Sequence, residues 1–249
     1  MRVDQILSRF GYCSRSEARR WVRDGRVEIN GTPARTTADK TDAENVRIDG
    51  ESVDSPQGIL ALFHKPEGCV CSHDGSEGPT VYDLLPARWA LRNPPVTTVG
   101  RLDKATTGLL VLTDLGSLVH RWTSPRKKVP KLYEATLDRP ADPAWRDLFA
   151  SGDLKLEGED KPCLPAVLEL TGERSVTVEL TEGRYHQVRR MFAACGATVL
   201  ALHRTRFGPF NIDGLESGAW RQLDPLDHLQ DSQPQSKCIA LDLNQQPAD

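Results

Sequence analysis

Seven short runs of apolar and β-branched residues lie between positions 59 and 203 of this 249-residue chain: 59–63, 96–99, 109–113, 132–137, 167–170, 176–180 and 198–203. Each has the length and composition of a strand. Only two helices stand out among them. One covers 115–122 behind Thr113 and Asp114 as its cap, and the other covers 185–194, with Val188, Met191, Phe192 and Cys195 as its apolar stripe and Gly196 as its stop. Strands that follow one another with so few helices between them predict an α+β architecture with a mixed, mainly antiparallel sheet rather than a doubly wound one. This body runs over 58–226, and a tail rich in Gln, Asp and Pro, 227–249, is expected to be disordered, although 238–243 could pair with a sheet edge.

The first 55 residues read as a separate small module, followed by a linker at 52–57. Ser14-Arg15-Ser16-Glu17 is a capping box, in which the hydroxyl and the carboxylate satisfy each other's orphan amides at a helix start. Ala18, Trp21 and Val22 then form the buried stripe, and Gly25 stands where a helix C-cap belongs. Arg15, Arg19 and Arg23, four apart, line up on the opposite face with Arg20 beside them. Val27 and Ile29 alternate with polar residues before Asn30-Gly31, the signal of a tight type I′ hairpin. A helix that stacks three guanidiniums suits phosphates, because each can bond two phosphate oxygens at once.

Charge is unevenly placed. The net charge is -3, yet residues 1–35 hold eight arginines against four acids, 99–131 hold seven basic residues against two acidic, and 184–206 hold five arginines and no acid. Local charge, not the total, decides phosphate binding, so the chain is expected to bind nucleic acid through three basic islands. The longest uncharged apolar runs, 58–63 and 106–113, fall far short of the roughly 18 residues a membrane span needs. With no secretory signal visible at the N-terminus, a cytoplasmic location is expected. Six cysteines are scattered without a CxxC pair, which predicts free thiols and no zinc. Cys69 and Cys71 face one side of an expected strand and read as packing.

Phosphate-loop, dinucleotide, zinc-protease and serine-hydrolase fingerprints are missing, and the histidines occur singly. What remains is the segment GRLDKATTGLLVLTDLG, 100–116, in which a strand ends at Arg101-Leu102-Asp103, a Gly/Thr loop follows, and an apolar strand resumes. A lone aspartate between two buried strands can be held partly desolvated yet open to a ligand; it can equally cap its own turn. Asp114, by contrast, reads as a helix cap.

This segment resembles, nearly position by position, the signature of pseudouridine synthases. The resemblance extends to Lys65-Pro66-Glu67-Gly68, to TSPRKKVPKLYEATL at 123–137 and to EGRYHQVRRMFAACG at 182–196. Upstream, residues 1–31 are similar to the small RNA-binding module shared by a ribosomal protein of the small subunit, tyrosyl-tRNA synthetase and several RNA-modifying enzymes. Among pseudouridine synthases the chain is most similar to the branch that modifies ribosomal RNA, and the runs at 70–85 and 120–128 resemble the type acting on the small subunit.

The resemblance implies the fold of those enzymes and conversion of a uridine in 16S ribosomal RNA to pseudouridine, without cofactor or metal, by a monomer working on an assembling small subunit. It implies Asp103 as the catalytic carboxylate, acting by attack at the sugar carbon or by proton abstraction from the ribose; Arg189 as its basic partner; and Tyr133 as the ring that packs against the target base. Arg190 lies about 100° round the helix and is less suited to that partnership. Burial raises an aspartate's pKa by up to about 3–5 units while a cation within reach lowers it by about 1–3, so an ionised carboxylate in a pocket wants a cationic neighbour. Arg101 would grip phosphate or fill the gap left by an extruded base. Arg126, Lys127, Lys131 and Arg184, with the arginines of the N-terminal helix, make up the expected RNA contacts. A 23S target, or a non-catalytic RNA-binding assembly factor using the same basic islands, are the competing readings.

Overall fold

The computed structural model describes residues 1–229, so the expected pairing at 238–243 and most of the 227–249 tail lie outside the described residues. The N-terminal unit comprises α1 (Val3–Arg9), α2 (Arg15–Arg23), β1 (Val27–Ile29), β2 (Thr32–Pro33), β3 (Val46–Ile48) and β4 (Glu51–Ser52), the strands lying in the order β2-β1-β3-β4. The capping box starts α2: Glu17 N donates to Ser14 Oγ at 3.3 Å and Ser14 N donates to the Glu17 carboxylate at 2.9 Å. Asn30 and Gly31 both take left-handed φ values, +50° and +74°, which turn β1 into β2. Ile6, Leu7, Ala18, Val22 and Val27 pack into one core. Trp21 is only half-buried and lies beneath Arg26, whose guanidinium carbon is 4.0 Å from the ring centroid.

The second unit carries the large sheet. In chain order it contains β5 (Leu60–Lys65), α3 (Ala87–Leu91), β6 (Thr97–Val99), β7 (Thr106–Thr113), α4 (Gly116–Thr123), β8 (Lys131–Leu137), α5 (Trp145–Ser151), β9 (Val167–Leu170), β10 (Ser175–Leu180), α6 (Gln187–Ala194), β11 (Val199–Phe207), β12 (Phe210–Asn211), β13 (Trp220–Leu223) and α7 (Leu226–Leu229). The strand order is β13-β5-β7-β11-β8-β10-β9, with β6 and β12 branching from β7 and β11. β7 and β11 run parallel and the other ladders are antiparallel, which is the mixed, mainly antiparallel sheet expected. Their approach is close enough that a Cβ on Gly108, itself at φ +109°, would meet Arg204 O at 2.3 Å. Among the described residues no helix is long and apolar enough to cross a membrane.

Three local expectations are corrected. Asp114 does not cap α4, whose N-cap is Leu115 with no side-chain bond; it is buried, accepts from Ile59 N at 2.7 Å, and takes two bonds from Arg92 at 3.0 and 2.8 Å. Cys69 and Cys71 flank an isolated bridge, Val70 to Thr80, not a strand, although both pack in the core as expected. The presumed linker is no loose tether. Asp54 takes Arg88 at 2.9 and 3.0 Å and lies 3.5 Å from Arg92 Nη1. Phe10 and Tyr12 lie beneath Arg92 and Arg88, at 4.9 and 5.5 Å. Gly11, at φ +78°, sits so close to α3 that an added Cβ would meet Arg88 O at 2.1 Å. Arg88, Asp54, Arg92 and Asp114 thus form a chain of charges that docks the small unit against the large one.

Candidate active site

Asp103 stands on the loop between β6 and β7. Its backbone carbonyl accepts from Thr106 N at 3.0 Å, but among the described residues its carboxylate accepts no hydrogen bond, so the side chain does not cap its turn. The loop itself is fastened. Lys65 Nζ, at the buried end of β5, donates to the carbonyls of Lys104 and Thr106 at 3.2 and 2.8 Å, and Gly68 N donates to the same Lys104 carbonyl at 2.9 Å. Arg189 Nη2 reaches the carbonyl of Ala105 at 3.4 Å. The three consecutive carbonyls after Lys104 N are therefore all held by side chains or backbone from elsewhere, and two of the donors are cations. Burial pushes the Lys65 ammonium below its usual pKa, opposed by anionic groups near it that include Asp103.

Arg189 differs from its expected place. Its Nη1 is bound to Val199 O at 2.8 Å, and it makes no ion pair with Asp103. Two backbone carbonyls capture the guanidinium, so Arg189 braces the loop that carries Asp103 rather than the carboxylate itself. A side chain that does reach the Asp103 carboxylate is His186, with Nε2 3.3 Å from Oδ1.

Asp103 opens on a cavity of about 530 Å³, inside the range of about 300–1,000 Å³ typical of small-ligand sites. Tyr133 lines it from β8, whose alternation sends Glu134 to the opposite face of the sheet. In register, Tyr133 lies opposite Arg204 of β11 and Val178 of β10. Arg101 lines the mouth and is exposed. Arg126 and Lys127 project, exposed, from the turn Pro125–Lys127 at the rim. Lys131 lines the wall two residues before Tyr133; burial, together with the charge of Arg204, brings its pKa down to about 8, partly opposed by Glu182. Arg184 lines the cavity too, and it donates to the Glu182 carboxylate and to the carbonyls of Lys161 and Pro162, bracing two loops together. On α2, Arg15, Arg19, Arg20 and Arg23 are all exposed, Arg23 lying 3.6 Å from Asp24.

Sequence reasoning passed over two residues of this wall. Arg204 is 2% exposed, donates through Nε to Leu109 O at 2.8 Å, and leaves Nη2 without a partner among the described residues. Its guanidinium lies 6.0 Å from the Tyr133 ring and 5.0 Å from that of Phe207. Membership of the basic island 184–206 was its one signal. His186 was read only as one isolated histidine among several.

Residues 59–194 match the family model of RNA pseudouridylate synthase, and residues 1–44 match that of the S4 domain. Proteins named ribosomal small subunit pseudouridine synthase A are similar over nearly the whole chain: that of Escherichia coli K12 is 40% identical over 228 residues, and that of Pasteurella multocida Pm70 is 37% identical over 226, each alignment covering 90% of this chain and 96% of the relative. A crystal structure of a pseudouridylate synthase superposes with a TM-score of 0.62 at 34% identity, covering 91% of this chain and 97% of that one. With a family match over residues 59–194 and relatives 37% and 40% identical over 90% of its length, the chain belongs to the RNA pseudouridylate synthase family.

Proposed function

We propose that this protein converts one uridine of small-subunit ribosomal RNA to pseudouridine, with Asp103 as the acting carboxylate. The observation that carries the reading is an aspartate, its side chain 36% exposed, that accepts no hydrogen bond among the described residues, is fixed through its backbone and faces a nucleoside-sized cavity beside an aromatic ring. Attack at the sugar carbon and proton abstraction from the ribose both use its ionised form. Uracil is freed from its nitrogen, turns within the cavity and is rejoined through carbon-5, so the product has the atoms of the substrate. Stacking on Tyr133, worth about 1–3 kcal/mol, offsets much of the few kcal/mol that extruding a nucleotide costs. Arg204 offers an N–H to the displaced base.

The small-subunit target is supported by the relatives named for it. The arginine face of α2 captures structured RNA, and the large sheet performs the chemistry. An assembling subunit in the cytoplasm, still able to release a base from its stack, is the proposed substrate for a monomer. Mapping pseudouridines in ribosomal RNA from cells with the protein, without it, and with Asp103→Asn tests the reading. One site in small-subunit RNA is expected to disappear in the second and third; a lost site in large-subunit RNA overturns the target, and an unchanged map overturns the activity. Replacing Arg15, Arg19 and Arg23 by Ala is expected to reduce the slope of log affinity against log salt by about 2–3, because three phosphate contacts are lost.

A further inference from the structure

His186 adopts a left-handed backbone, φ +49° and ψ +33°. Side chains other than glycine enter this region uncommonly, and such residues persist where the surroundings impose the conformation. Helix formation does not explain it: His186 occupies the N-cap position of α6, yet its side chain makes no capping bond. The turn before it is closed by neighbours. Gln187 N donates to Arg184 O at 3.2 Å, Arg184 N donates to the Gln187 side chain at 2.9 Å, and Gln187 donates in turn to Glu182 at 2.6 Å.

The outcome of this backbone is the direction of the imidazole. Its Nε2 lies 3.3 Å from Asp103 Oδ1, at the cavity wall. Its face is covered by Tyr185, the two rings 3.8 Å apart and 18° from parallel. Tyr185 is itself 75% exposed, a large aromatic side chain left in water over that imidazole. We propose that His186 is a positioning residue, which pins one oxygen of the Asp103 carboxylate so that the other meets the ribose, with Tyr185 as the lid that keeps the imidazole in place. The proposal rests on Asp103 being the acting group. A carboxylate without hydrogen bonds turns freely about its last torsion, which is broad and two-fold. The clamps on carbonyls 104–106 hold the Asp103 main chain but not that torsion, and Arg189 does not reach it. His186 is the group placed to hold it.

The test measures release of tritium from RNA labelled at uracil C5, using the full chain. In His186→Gly the backbone conformation costs nothing and the imidazole is gone. Its thermal midpoint is expected to stay at or above that of the wild type and KM within about twofold, while kcat falls by about a hundredfold, the effect of misplacing a reacting group by about 1 Å. Added imidazole is expected to restore kcat at least tenfold in His186→Gly and to do nothing for Asp103→Asn. A wild-type kcat in His186→Gly, or a loss that imidazole does not restore, overturns the proposal. Tyr185→Ala, at an exposed position that does not threaten folding, is expected to lower kcat several-fold in the wild type and to have no further effect in His186→Gly, and equal effects in both backgrounds overturn the role as lid. If Asp103→Asn retains activity, the fault lies in the assignment of Asp103 and not in that of His186.

Discussion

The two ends of β7 carry aspartates that the fold treats in opposite ways. Asp114, just past its C-terminal end, has a side chain only 6% exposed, and it accepts bonds from Ile59 N and from Arg92. Asp103, just before its N-terminal end, has a side chain 36% exposed, and the His186 imidazole lies 3.3 Å from its Oδ1. A carboxylate whose acceptor sites are filled has a structural duty. One left with acceptor capacity, while its backbone is clamped on three sides, keeps that capacity for something the fold does not supply. Residue type is the same for both; hydrogen-bond satisfaction separates them.

The sharpest way to break this comparison is to make the same substitution at both ends. Asp103→Asn should reduce tritium release by at least about a thousandfold, as loss of a principal catalytic group does, and leave thermal stability unchanged because no hydrogen bond is lost. Asp114→Asn should do the reverse. It leaves Arg92 short of an anion in a buried site, at a cost of about 3 kcal/mol read from the denaturant midpoint, while folded protein keeps its kcat. Similar stability losses in both variants would show that Asp103 is structural after all. Tyr133→Leu sharpens the picture on the facing wall. It keeps an apolar side chain on β8 but removes the stacking face, so kcat/KM should fall by about tenfold to a hundredfold, in line with about 1–3 kcal/mol per stacked base.

Much of this was legible in the sequence, because strands and capped helices announce themselves over a few neighbouring residues. The Ser14-to-Glu17 box, the Asn30-Gly31 turn and the alternation of β8 are local patterns, and each formed where it was read. Asp114 was misread because its partner, Arg92, is 22 positions away and belongs to no periodic pattern. The same reason hid the docking of the small unit, where Gly11 and Asp54 meet α3. At the site, Asp103 and Tyr133 were legible through their motifs. The pairing of Asp103 was not, since a positive φ at His186 redirects a histidine that any helical projection would place elsewhere, and two backbone carbonyls compete for Arg189. Contacts set by main-chain acceptors leave no trace in side-chain spacing.

Lys131 extends the contrast to a cation and gives the smallest expected effect. It lies close to Arg204 and half out of water, and its pKa of about 8 stands below the 10.5 of a free lysine. The folded chain therefore holds this proton less tightly than the unfolded chain does. Between those two values the unfolded state binds more protons, so this group makes stability rise with pH across the window and costs stability below about 8. Lys131→Met removes the charge and keeps the stem, and at pH 7 it should raise the melting temperature by roughly 2 °C, an advantage that fades as pH climbs toward 10.5. RNA affinity should fall in the same variant. Among the described residues the Lys131 ammonium donates to Val129 O at 2.8 Å and lies 5.6 Å from the centre of the Phe207 ring, and the side chain lines the cavity. A stability gain coupled to weaker binding would mark Lys131, like Asp103, as a charge kept for the substrate; a stability loss would place it with Asp114, among the charges that hold the fold.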